Sequence, residues 1–211
     1  MMESHAALIF FPLIGEIMSL TLDPRTTALV LIDVQNGILS MPLAPYDAAQ
    51  IIRNTAGLGR HFNDLHATVV LVKVAFANNY ADKPIQEVDA PMITPPGGLP
   101  AAWSEFARDI AELEADVVIT KRQWGAFHGT ELDLQLRRRG ITTIVLGGIA
   151  TNFGVEATAR EAWQHNYAVI VAEDASTSVA PDMHRFSVEK ILPRISRIRS
   201  TAEIIAALQP A

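Results

Sequence analysis

The sequence predicts a single α/β domain of three layers: a six-stranded parallel sheet, doubly wound, with helices on both faces. Three observations carry this. Short apolar runs rich in Val, Ile and Leu recur at strand length, with little polar alternation, as strands covered on both faces require. Stretches with apolar residues at helical spacing separate these runs, which implies parallel strands joined by right-handed helical crossovers. The chain has 211 residues, 49% hydrophobic and 19% charged, enough for one domain with a full core and short for two.

Each element has its own justification. Ala28–Asp33 is an aliphatic run closed by an acid. Asp47–His66 carries Ala48, Ile51, Ile52, Thr55 and Leu58 at helical spacing. Thr68–Phe76 is the second strand, and its Val content favours a pleated, buried surface. Asn78–Pro100 is rich in Pro and Gly and reads as a long loop placed to act as a lid. A helix is expected near Ala101–Glu112, then a third strand at Asp116–Lys121. Thr130–Gly140 is a helix with Thr130 as its cap, Asp133 as acidic partner and Gly140 as its end. Thr142–Gly147, Ala168–Ala172 and Ile195–Arg199 complete the strands. Thr151–Asn166, Asp182–Lys190 and Thr201–Leu208 are the remaining helices.

Composition excludes several function classes. The net charge is −6, so the chain lacks the basic footprint of a nucleic-acid binder. There is no cysteine, hence no disulfide, thiolate metal site or cysteine nucleophile. The apolar run Ala6–Gly15 is far below the ~20 residues that span a bilayer. It also follows an acid rather than the basic residues of a secretory signal. Residues 1–21 therefore read as an N-terminal extension that docks on the body or a neighbouring subunit, with Met18 as an alternative start, and 22–211 as the domain. A cytoplasmic protein with no membrane or nucleic-acid partner is expected.

In a doubly wound sheet, ligands bind beyond the carboxyl ends of the strands. Asp33 and Lys121 each close an apolar strand there. Taken singly, Asp33 is also explained as a turn residue and Lys121 as a lysine reaching solvent. Taken together they face one crevice as a carboxylate–ammonium pair able to hold and pass a proton. The run Gly147–Gly154 joins a strand to a helix whose first N–H groups suit an anion or developing oxyanion; an ordinary capped turn is the plainer reading. Candidate substrate contacts are Gln35, Phe76, Trp124, Phe127 and the turn residues Ile149, Ala150, Thr151, Asn152 and Phe153. Core packing explains the three aromatics equally well. No phosphate-binding loop, zinc-protease motif or nucleophile elbow occurs, and the six histidines form no close ligand pair. Arg137-Arg138-Arg139 ends a helix, where it compensates the dipole.

Four segments carry a resemblance: Ala28-Leu-Val-Leu-Ile-Asp33-Val-Gln-Asn-Gly37, Ile119-Thr-Lys121-Arg-Gln-Trp-Gly-Ala-Phe-His-Gly-Thr130, Gly147-Gly-Ile-Ala-Thr-Asn-Phe-Gly154-Val-Glu-Ala-Thr-Ala159 and Val171-Ala-Glu-Asp174-Ala175. From about Leu22 to Leu208 the chain resembles the isochorismatase-like hydrolases, which include isochorismatases, nicotinamidases and N-carbamoyl amidases. The resemblance implies the six-stranded parallel fold, a homo-oligomer (dimer or tetramer), and a cis peptide at Ile149–Ala150. It also implies that the Asp–Lys–Cys triad of the cysteine-dependent members falls on Asp33, Lys121 and Gly154. Glycine at 154 removes the thioester route. The nicotinamidase metal set has an Asp-x-His after the second strand, and Phe76–Asp82 holds no histidine, so no catalytic metal or other cofactor is expected. True isochorismatases also bear Gly here and hydrolyse a vinyl ether. This chain is more similar to other Gly-bearing members than to the siderophore isochorismatases, which have His where Asn152 stands.

The expected function is thus hydrolysis of a small, anionic molecule without a covalent intermediate. Asp33 serves as acid or base, Lys121 positions the substrate, and the 149–154 backbone meets developing charge. The alternatives are a binding protein that kept the fold, and a small-amide hydrolase using Asp33-activated water.

Overall fold

A computed structural model describes residues 20–209. The apolar run at 6–15, Met18 and all but the last two residues of the 1–21 extension lie outside the described residues. The strands are β1 (Thr27–Ile32), β2 (Thr68–Val74), β3 (Val117–Lys121), β4 (Thr143–Ile149), β5 (Ala168–Thr177) and β6 (Arg197–Arg199). They form one parallel sheet in the order β3-β2-β1-β4-β5-β6. The helices are α1 (Asn36–Leu39), α2 (Ala48–Asp64), α3 (Arg108–Ala111), α4 (Leu132–Arg138), α5 (Glu156–Gln164), α6 (Pro181–Phe186) and α7 (Thr201–Ala207).

Alternation along each strand divides the core in two. Leu29, Leu31, Val69, Leu71 and Val145 face Ile51, Leu58 and Phe62 of α2, Ile110 of α3 and Ile204 of α7. Val30, Ile32, Val70, Val72 and Leu146 face Leu132 and Leu136 of α4 and Ala159 and Ala162 of α5. Every residue of β1 is buried, which is why its apolar run is unbroken. Local signals set the helix ends. Asp47 accepts from the Gln50 N–H at 2.7 Å, and Ser200 with Glu203 forms a capping box. Gly140, at φ +69°, ends α4 in a left-handed conformation that glycine adopts freely.

Several boundaries differ from expectation, each for a tertiary reason. The helix expected at Ala101–Glu112 breaks into a 3₁₀ turn (Ala101–Ser104) and α3. Between them the backbone pairs with the chain leaving β1: the Asn36 N–H bonds Glu105 O and the Ala107 N–H bonds Val34 O. β5 runs five residues past the apolar Ala168–Ala172, because Ser176 and Thr177 rejoin Gly148 and Ile149 after a register shift. The helix expected from Thr151 begins as a π-helical turn, Thr151–Val155, before α5. Glu131, not Thr130, precedes α4; Thr130 instead bonds Ala126 O and the Leu132 N–H. The helix expected at Asp182–Lys190 becomes α6 and a second π-helical turn, and β6 is shorter than Ile195–Arg199. Asn78–Pro100 is irregular as expected, tied down by the Tyr80 hydroxyl accepting from the Leu99 N–H and by Lys83 bonding Met92 O and Thr94.

With β2 on one side of β1 and β4 on the other, the crossovers from β1 and β4 leave to opposite faces. The crevice between their carboxyl ends is the topological switch point.

Candidate active site

Asp33 follows β1 at φ +53°, a left-handed conformation that Asp tolerates better than most residues. That conformation takes its carboxylate out of the strand alternation. Lys121 ends β3, two strands away, and its long side chain crosses the end of β2. Lys121 Nζ lies 2.7 Å from Asp33 Oδ2 and donates to Trp124 O at 2.6 Å. Both groups are sealed, with 1% exposure for Lys121 and 6% for Asp33. A buried pair is stable only where geometry and further hydrogen bonds offset lost hydration. Lys121 meets that condition. Asp33 meets it in part, because its Oδ1 has no hydrogen-bond partner. Burial accordingly pushes the Asp33 carboxyl up to about 6, against the opposing pull of the Lys121 ammonium.

Gly154 packs against the Lys121 ammonium. A Cβ at position 154 would lie 3.2 Å from Lys121 Nζ, 3.0 Å from Ile32 Cγ2 and 3.2 Å from Ile149 O. The three residues named from the sequence, Asp33, Lys121 and Gly154, are therefore brought together, and the missing side chain at 154 lets the ammonium approach that backbone closely. Lys121 uses two of its three N–H donors on Asp33 and Trp124.

The turn above them is fixed from several sides. The Ile149–Ala150 peptide is cis. Ala150 O accepts from the Phe153 and Val155 N–H groups, and Thr158 Oγ1 donates to Gly154 O at 2.7 Å. Asn152 Oδ1 accepts from Ser178 at 2.5 Å. Thr151 is fully buried, and its hydroxyl meets His184. As at any helix start, the first N–H groups of this turn have no carbonyl partner within the helix.

The aromatic and polar candidates separate. Trp124 is 63% exposed, with its ring 4.7 Å from that of Phe153, so this pair borders the Lys121 side of the site. Phe76 is half-buried against Tyr80, whose ring is 6.3 Å away. Phe127 packs into the core, between the rings of His165 and Tyr167. Gln35 is turned to the backbone. Its amide donates to Val74 O and Trp103 O and accepts the Val74 N–H, which leaves no donor for a ligand and closes the end of β2 instead. Both assignments needed side-chain direction, which spacing does not supply. Sequence reasoning missed His184, Glu173 and Tyr46, which converge on Thr151 from distant segments. Asp82, in the stretch after β2, is taken by Arg122 at 2.9 Å and the Ala77 N–H at 2.7 Å. Among the described residues no three His, Asp or Glu side chains converge as metal ligands.

Residues 27–203 match the Isochorismatase domain family. The chain belongs to the isochorismatase family. It is 45% identical over 189 residues to the uncharacterized isochorismatase family protein YecD of Escherichia coli O157:H7, covering 90% of this chain and all of that protein. A solved isochorismatase family protein from Burkholderia thailandensis superposes at a TM-score of 0.84 with 43% identity, over 90% of this chain and 98% of that one. A more distant relative, the ureidoacrylate amidohydrolase RutB of Methylobacterium radiotolerans, is 29% identical over 90% of this chain and 82% of its own length. The six-stranded parallel sheet and the hydrolase family expected from sequence are thus shown.

Proposed function

We propose that this isochorismatase-family hydrolase cleaves a small anionic molecule with no covalent enzyme intermediate, using Asp33 as general acid. One observation carries the reading: Asp33 is buried with a free Oδ1 and a carboxyl lifted to about 6, beside a residue 154 that has no side chain. A carboxyl so raised keeps a proton to give near neutral pH. On a vinyl ether, that proton goes to the terminal carbon of the double bond, and water adds to the oxocarbenium carbon. The resulting hemiketal loses the alcohol and leaves a keto acid, and the proton released by water returns to Asp33. Lys121 positions the Asp33 carboxyl, and the N–H groups at the start of the 151–155 turn favour a negative charge on the substrate. Trp124 and Phe153 border the ligand. The protein acts as a homo-oligomer, which sedimentation at micromolar concentration tests.

The test is pyruvate release from isochorismate, run on the wild type and Asp33→Asn. Release by the wild type and at least ~100-fold less by the variant supports the reading, since general acids contribute ~10²–10⁴ in rate. Full activity in Asp33→Asn overturns it.

The RutB relative favours a second reading, water-mediated hydrolysis of an amide, with ionised Asp33 as base. The two differ in sign. As an acid, Asp33 must be protonated, so kcat/KM falls as pH rises above about 6. As a base it must be ionised, so kcat/KM rises through that pH and then levels.

A further inference from the structure

A second buried polar chain ends on the site turn at Thr151. Its members come from four segments: Thr151 on the π-helical turn, His184 on α6, Glu173 on β5 and Tyr46 in the loop before α2. Thr151 Oγ1 lies 2.8 Å from His184 Nδ1, and His184 Nε2 lies 3.0 Å from Glu173 Oε1. The Tyr46 hydroxyl donates to both Glu173 oxygens, at 2.8 and 3.0 Å. The Tyr46 ring stands edge-on to His184 at 5.7 Å. Thr151 is 0% and His184 3% exposed, so neither side chain satisfies its polar atoms with water. The proposed hydrolysis uses none of these contacts.

Chemistry assigns the protons. The His184 hydrogen bond, helped by that of Tyr46, holds the Glu173 carboxyl below the usual range against its burial, so Glu173 is an acceptor only. Burial and Glu173 lift Tyr46 to about 12, so it keeps its proton and donates. His184 therefore presents Nε2–H to Glu173. With the proton on Nε2 alone, Nδ1 carries a bare lone pair and the Thr151 hydroxyl donates to it. This hydroxyl–imidazole–carboxylate order is that of a nucleophile, its base and an orienting acid. Thr151 lies at the first position of the turn with its hydroxyl committed to His184, and the proposed hydrolysis has no use for a second nucleophile, which leaves orientation as the role of the chain.

We propose that His184 is a positioning residue: held in its Nε2–H tautomer by Glu173 and Tyr46, it accepts the Thr151 hydroxyl proton and pins the turn that sets Gly154 over Lys121. This rests on reading that turn as part of the active site. The contact anchors the first residue of the turn, while Ser178 anchors the second and Thr158 the fourth.

Two measurements on the full chain test this, and neither needs a substrate. They therefore stand even if isochorismate is not hydrolysed. The first is a long-range 1H–15N correlation of histidine side chains at pH 7, with the His184 signals identified by their loss in His184→Asn. The expected result is an unprotonated Nδ1 and a protonated Nε2. A proton on Nδ1, as the other neutral tautomer or as imidazolium, overturns the proposal. The second is amide exchange across Asn152–Val155. Exchange should speed at least 10-fold in the isosteric Thr151→Val and in His184→Leu, and return to near the wild-type rate in His184→Asn, whose amide oxygen replaces the Nδ1 acceptor. Unchanged exchange in folded Thr151→Val overturns the positioning role.

Discussion

Replacing Lys121 by Met removes the only ammonium beside Asp33 among the described residues while keeping much of the side-chain length. The two larger influences that lower the Asp33 carboxyl, the charge and the hydrogen bond of Lys121, disappear, and burial is opposed only by the weaker pull of the Val74 backbone. The folded-state pKa of Asp33 then rises beyond its present value of about 6. A group whose folded pKa is raised contributes stability below its unfolded pKa and loses it as pH rises through its folded pKa. In the wild type that loss ends near pH 6, where Asp33 has ionised in both states. In the variant the loss continues above pH 6 at about 1.4 kcal/mol per pH unit, because only the unfolded chain has released the proton. The gap between the two proteins should therefore be constant below pH 6 and widen above it at that slope until the variant's own folded pKa is passed. Removing the Lys121 bond to Trp124 O and burying a methionine shift the whole variant curve but not its slope. Urea unfolding of both proteins at pH 5, 6, 7 and 8 reads the difference directly. Parallel stability–pH curves between pH 6 and 8 would refute a desolvated Asp33 restrained by Lys121.

Gly148→Ala should unfold the protein or cost at least ~3 kcal/mol, since φ is +121° and the new Cβ would stand 2.0 Å from Ile32 O; a thermal melt by circular dichroism checks it. Gly154→Ala meets contacts of 3.0–3.2 Å, so a cost of about 1–3 kcal/mol is expected, with pyruvate release down at least ~10-fold as the new methyl pushes the Lys121 ammonium aside. Wild-type activity in that variant would show the close approach to be unnecessary for turnover. Asp174→Ala loses the bonds from the Thr201 N–H and hydroxyl at 2.7 and 2.8 Å, which should lower stability by about 1–3 kcal/mol in urea while leaving the pH dependence of turnover unchanged.

Much of the architecture was legible because its causes are local. A strand covered on both faces has no polar face to show, so apolar runs located β1 to β5. Boundaries were less legible where long-range pairing decided them. Glu173 and Asp174 end the apolar pattern of β5, yet the chain stays extended because Gly148 and Ile149 offer it a partner. Glu105 and Phe106 interrupt a helical stretch because the residues after β1 take up their backbone groups.

The site divides in the same way. That Asp33 and Lys121 end strands, that 154 is glycine and that the chain has no cysteine are facts of the sequence alone. They bring the pair to one edge of the sheet and remove thioester chemistry. Only the tertiary structure decided that Lys121 crosses β2 to reach Asp33, that burial outweighs the ion pair in setting the Asp33 proton, and that Gln35 and Phe127 serve the scaffold. It alone joined Tyr46, Glu173 and His184 to Thr151. The physical reason is common to all of these. A residue's position along a strand follows from its neighbours in sequence. Its protonation and partners follow from the direction of the side chain and the loss of water around it, and those are set by segments far away in the chain.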